Sequence, residues 1–104
     1  MTRYDLECRY DSRNSFYGKA RIEEETTTGP HGFTTLYNLF SYGTLVAKIL
    51  YSCIDDKKTM KYVHMGKYSQ TTSRHQREFF RQFGLTDDEI KILEKNVDKE
   101  IVFE

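Results

Sequence analysis

Apolar and polar positions alternate along the first two-thirds of the chain, then change to a helical period. Residues 3–10, RYDLECRY, put Tyr4, Leu6, Cys8 and Tyr10 opposite Arg3, Asp5, Glu7 and Arg9, which predicts a short strand. Asp11 to Asn14 reads as a turn. Residues 15–25 give a cleaner period of two, with Phe16, Gly18, Ala20 and Ile22 facing a core and Tyr17, Lys19, Arg21 and Glu23 facing away. Gly18 and Ala20 are small and leave room for a bulky element above them. Thr26 to Gly32, TTTGPHG, holds the only proline and two glycines, and predicts a loop, long for a hairpin and mobile. Further strands follow over Phe33–Phe40, Thr44–Ser52 and Thr59–Met65, separated by Ser41-Tyr42-Gly43 and Asp55 to Lys58. Over Thr44–Ser52, Leu45, Ala47, Ile49 and Tyr51 form the apolar face.

The segment Tyr68 to Gly84, YSQTTSRHQREFFRQFG, has a different rhythm. Thr71, Thr72 and Ser73 are N-cap candidates, because a side-chain oxygen there accepts from a free N–H of the first turn. Phe79, Phe80 and Phe83 share one stripe with His75 and Gln76, while Arg74, Arg77 and Arg81 line another face with Glu78 in reach of Arg74 or Arg81. Gly84 suits a left-handed stop. A second helix starts on the capping box Thr86-x-x-Glu89 and buries Ile90, Leu93 and Val97. Ile101 to Phe103 is a short apolar tail that docks as an edge strand or packs as coil. Strands first and helices last define one α+β domain over residues 1–104: an antiparallel meander of three to five strands with two C-terminal helices on one face. The expected core comprises Phe16, Ala20, Ile22, Leu45, Ala47, Ile49, Phe79, Phe83, Ile90 and Leu93.

Composition adds bounds rather than a function. The 104 residues suffice for one modest core, rich in tyrosine and phenylalanine and without tryptophan. Formal charge is zero, but residues 1–56 carry net −2, residues 57–84 net +6 and residues 85–104 net −4. A basic middle between acidic ends fits either a nucleic-acid footprint or segments that neutralise one another across the fold. Two distant cysteines give no zinc pattern and read as free thiols. Without an apolar leader or a run of about 20 apolar residues, the chain is expected in a cytoplasm, away from membranes.

Three histidines invite an enzyme reading, but His31, His64 and His75 carry no local motif that supplies an orienting partner or a pocket. Cys53 with His75 offers a thiol–base pair by elimination only, and Cys8, Cys53, His31 and His64 have no ligand spacing. His75 is expected to bond a backbone carbonyl or a strand-end hydroxyl. The chain is therefore read as non-enzymatic, with no catalytic residue, metal site or cofactor. Its usable feature is the basic helix face: Lys67, Arg74, Arg77 and Arg81 as partner- or nucleic-acid-binding residues. Homodimerisation is left open.

The segments SFYGKARIE at 15–23, LFSYGTLVAKI at 39–49 and YSQTTSRHQREFFRQFG at 68–84 resemble a small uncharacterised domain family found in phages, plasmids and other mobile elements of gut-type bacteria. The shared pattern is F-Y-G-K-A, then S-Y-x-T-x-V-A, then Y-S-x-T-T-x-R-H-x-x-E-F. The resemblance covers residues 15–84 and brings no catalytic residues. It implies a binder that disables host machinery, such as an inhibitor of a CRISPR nuclease that sits on the Cas9-type enzyme, its guide complex or its DNA. The alternative is a small nucleic-acid-binding or regulatory module using Arg74, Arg77 and Arg81.

Overall fold

The computed structural model describes residues 1–66 and 68–103. Five strands run as an open antiparallel meander in the order β1 (Thr2–Asp5), β2 (Ala20–Gly29), β3 (Gly32–Ser41), β4 (Thr44–Ile54) and β5 (Lys57–His64). Helices α1 (Gln70–Gln82) and α2 (Asp87–Lys95) follow. Helix α1 packs on β3 and β4, and α2 on β5. The expected α+β meander with two C-terminal helices on one face is what the chain forms.

Cross-strand pairing explains the covered face. Ala20, Ile22, Leu39, Ala47, Ile49, Tyr62 and His64 follow one another across the strands and lie buried beneath Phe79, Phe80, Ile90 and Leu93. Phe83 packs at the margin, edge-on to Tyr37 with ring centroids 4.7 Å apart. Leu45 departs from expectation. A register shift beside Leu39 and Phe40 makes Val46 an extra residue in β4, so Leu45 pairs with Phe40 on the opposite face, outside the core. Val46 is buried in its place.

Three boundaries also differ from the sequence reading. The segment Thr26 to Gly32 is not a long loop. The β-favouring threonines extend β2 to Gly29, and only Pro30 and His31 turn the chain into β3. Gly32 is obligatory there, with φ +153, because a Cβ would drive into the Cys53 carbonyl. The His31 carbonyl accepts from Asp55 N–H at 2.9 Å, which ties this turn to the next one. Strand β1 stops at Asp5, since the amides of Arg9, Tyr10 and Asp11 turn away from the sheet toward Glu78. Strand β2 begins only at Ala20, after a turn from Phe16 to Lys19.

Helix α1 is capped by Ser69, whose hydroxyl accepts from Thr72 N–H at 3.3 Å, and not by Thr71, Thr72 or Ser73. Gly84 has φ +92, as its role after the helix requires. The Thr86–Glu89 capping box is present in both directions. The tail makes one antiparallel bridge, Ile101 with Tyr62, at the β5 edge. Among the described residues, no helix is long and apolar enough to cross a membrane.

Candidate functional site

The three sequence segments that carry the family pattern converge at one end of the sheet, around His75. Its Nδ1 lies 2.7 Å from Ser41 Oγ at the end of β3, and Ser41 Oγ lies 3.0 Å from Thr72 Oγ1. This is the strand-end hydroxyl expected for His75. Phe16 meets the imidazole edge-on at 4.5 Å and Tyr42 lies tilted at 5.8 Å. The histidine is 1% exposed, so the network is sealed within the fold. Cys53 sits near the far end of β4, remote in register from the Ser41 end. Cys8, His31 and His64 likewise belong to different regions, and among the described residues no three His, Cys, Asp or Glu side chains could hold a metal together.

Burial pushes His75 below its ordinary 6.5, with Asp11 opposing the shift and Arg13 adding to it. Burial also lowers His64 from 6.5, against the charges of Glu94 and Asp98 and local backbone hydrogen bonds. The unfolded chain takes up protons as pH falls through 6.5 while the folded chain resists. Stability is therefore full above 6.5 and declines below it, by at most about 1.4 kcal/mol per pH unit for each histidine. Urea midpoints should fall measurably between about pH 7.5 and about pH 5.5; a flat profile would contradict the burial of both rings.

Glu78 does not pair with Arg74 or Arg81. It is 2% exposed, and its Oε1 accepts from the amides of Arg9, Tyr10 and Asp11 at 2.9, 2.8 and 2.9 Å. Its Oε2 accepts from Gln82 Nε2 at 2.8 Å, and the same Gln82 nitrogen donates to the Glu7 carbonyl at 2.7 Å. Residues 7–11 are thus strapped over α1.

The strap and α2 flank the outer face of α1, leaving clefts of about 390 and about 480 Å³. Each arginine on this face is paired with an acid from another part of the chain. Arg74 reaches Asp11 at 3.2 Å, Arg77 reaches Glu94 at 3.2 Å, and Arg81 pairs with Asp87. Arg81 also lies 5.8 Å from the ring centre of Tyr10, which is 60% exposed. The charge blocks of the sequence thus meet as ion pairs, and the face is a mixed-charge groove. Lys67 lies outside the described residues.

Two exposed tyrosines, at the turns before β2 and between β3 and β4, carry no sign in the sequence of what they do. Tyr17 and Gly18 have φ 53 and 72, and Tyr42 and Gly43 have φ 52 and 83, so each Tyr-Gly pair is a left-handed turn. The turns are neighbours, because Tyr42 N–H donates to the Lys19 carbonyl at 2.8 Å. Tyr17 is 80% exposed and Tyr42 59%. A bulky residue in this backbone region costs on the order of 1 kcal/mol, and Tyr17 recovers little of it by burial. Asn is favoured in such turns. Tyr17→Asn should therefore stabilise the domain by about 0.5–1 kcal/mol, read from the denaturation midpoint; a loss of stability would show that the ring supports the fold.

Taken together, these features define a small α+β meander domain whose polar cluster is locked inside and whose two tyrosine turns and arginine face lie outside. The chain matches, over residues 4–95, the family described as "Family of unknown function (DUF8033)", and it belongs to that family. No curated protein and no solved structure matches it.

Proposed function

We propose that this chain is a non-enzymatic binding protein of a phage or other mobile element. It acts by occupying a protein surface, and the target class we favour is a host defence nuclease of the Cas9 type. The observation that carries the reading is the pair of adjacent Tyr-Gly turns, which hold two tyrosines in a costly backbone conformation and leave most of the Tyr17 residue and over half of Tyr42 exposed. Folding has little use for that arrangement. Binding does, because tyrosine supplies a large, amphipathic contact at low entropic cost. Arg81 stacked near Tyr10 extends the same chemistry along the groove.

The His75–Ser41 pair, which has the composition of a catalytic dyad, supports contact rather than chemistry. It is buried and spent on a hydroxyl network that joins α1 to β3. The nucleic-acid alternative asks Arg74, Arg77 and Arg81 to exchange Asp11, Glu94 and Asp87 for phosphates. That exchange removes much of the gain from counterion release.

A paired assay on purified protein tests the proposal. One arm titrates duplex and single-stranded DNA across a salt series. The other measures DNA cleavage by a guide-loaded Cas9-type nuclease. Blocked cleavage without binding to free DNA is the expected result. Salt-sensitive DNA binding that weakens with Arg77→Glu would replace the proposal by the nucleic-acid reading, and no response in either arm would remove the nuclease as target.

A further inference from the structure

The helices cover only one face of the sheet. On the other face, Leu36, Phe40, Leu45, Leu50 and Val63 form an apolar patch, each partly exposed, and no described residue packs over it as a layer. Leu36 pairs with Leu50 and Phe40 with Leu45, so two apolar pairs flank the centre of the sheet. Between Leu36 and Phe40 stands Asn38, whose Oδ1 is shielded from solvent yet has no hydrogen-bond partner. A shielded acceptor left without a donor is a cost that native folds rarely carry without a partner.

Charge is divided across this face. The β1–β2 half carries Asp5, Glu23 and Glu25 with Arg3 and Arg21, and Arg3 pairs with Glu23 at 2.6 Å. Among the described residues the β4–β5 half carries Lys48, Lys57 and Lys61 with no acid on the face itself, although Glu100 of the tail reaches Lys61 at 3.9 Å. Glu23, Asn38 and Lys48 stand in one cross-strand row, with Asn38 in the middle strand.

We propose that this face is the interface of a two-fold homodimer, with β3 of one copy lying over β3 of the other and the axis running along the strands. That operation places β2 over β4 of the second copy. Glu23 then faces Lys48 of the second copy twice, once from each chain. Asn38 meets its own counterpart on the axis, where one amide N–H can donate to the other Oδ1. An axis across the strands instead lays lysine half on lysine half, which the like charges oppose. Strand spacing and rise give a face of about 34 by about 20 Å, on the order of 700 Å², close to the roughly 800 Å² per partner of a standard interface. Two sheets packed with their strands nearly aligned form a sandwich whose core is this patch. The tyrosine turns and the α1 groove do not belong to this patch, so the dimer is independent of the contact surface proposed above.

Sedimentation equilibrium of the full chain tests this, with circular dichroism to confirm folding of each variant. The wild-type protein should show a species of twice 12.4 kDa. Glu23→Lys and Lys48→Glu should each raise the dissociation constant at least about tenfold, because each homodimer then holds two like-charge contacts. Mixing the two variants should restore a dimer, since both contacts regain opposite charge. A monomer at every concentration would overturn the proposal. So would a dimer indifferent to both substitutions, or a mixture that stays as weak as its components.

Discussion

Glu78→Ala should destabilise the domain by at least about 3 kcal/mol, because three amide hydrogen bonds to a buried charged acceptor are lost together, each worth about 1.5–3 kcal/mol. The amides of Arg9, Tyr10 and Asp11 would be left without their acceptor, and Gln82 would lose one of its two. Glu78→Gln keeps the shape but offers a weaker, neutral acceptor, so it should fall between wild type and alanine. Urea denaturation measures both. Hydrogen exchange should show the amides of residues 9–11 losing protection in the alanine variant. A loss under about 1 kcal/mol for alanine would mean that the strap is held by its other contacts.

The second large effect concerns binding. Replacing Tyr17 and Tyr42 together by alanine should weaken binding to the protein target at least a hundredfold, on the scale of about 2 kcal/mol for each central aromatic anchor. Stability should change far less, because Tyr17 is 80% exposed and Tyr42 59%. Circular dichroism and a calorimetric titration against the target separate the two effects. Unchanged affinity would move the contact surface to the α1 groove or elsewhere.

Much of the architecture was legible because short-range patterns carry it. The alternation of Ala20 with Ile22, the Phe79–Phe80–Phe83 stripe and the Thr86–Glu89 box each encode structure within a few residues. The features that escaped have partners far along the chain. Nothing near Arg9 announces that its amide will find Glu78, 69 residues later. The bulge at Val46 hid in a run where every residue from Leu45 to Ala47 is apolar, so the period could not show which one was extra. Thr71, Thr72 and Ser73 read as caps because all are hydroxyl residues at the start of the helical rhythm, but the fold caps on Ser69, and Thr72 is held inside the helix against Ser41. TTTGPHG looked like a loop because Gly and Pro punctuate it, yet Gly32 is there for close approach to β4.

The candidate site was legible only in part. Arg74, Arg77 and Arg81 do share an outer face, but their acids come from Asp11, Glu94 and Asp87, which a local reading cannot assign to them. Tyr17 and Tyr42 carry no sequence sign of their left-handed backbone beyond the glycine that follows each.

Photo-cross-linking from the turns tests the central claim most directly. A photoreactive phenylalanine analogue at Tyr17, with the same analogue at the exposed Asp56 of the β4–β5 turn as control, would be irradiated in bacterial cells carrying a guide-loaded Cas9-type nuclease. Contact through the tyrosine turns predicts a discrete protein adduct from position 17 that survives nuclease digestion and is absent from position 56. An adduct that digestion removes, or equal labelling from both positions, would contradict it.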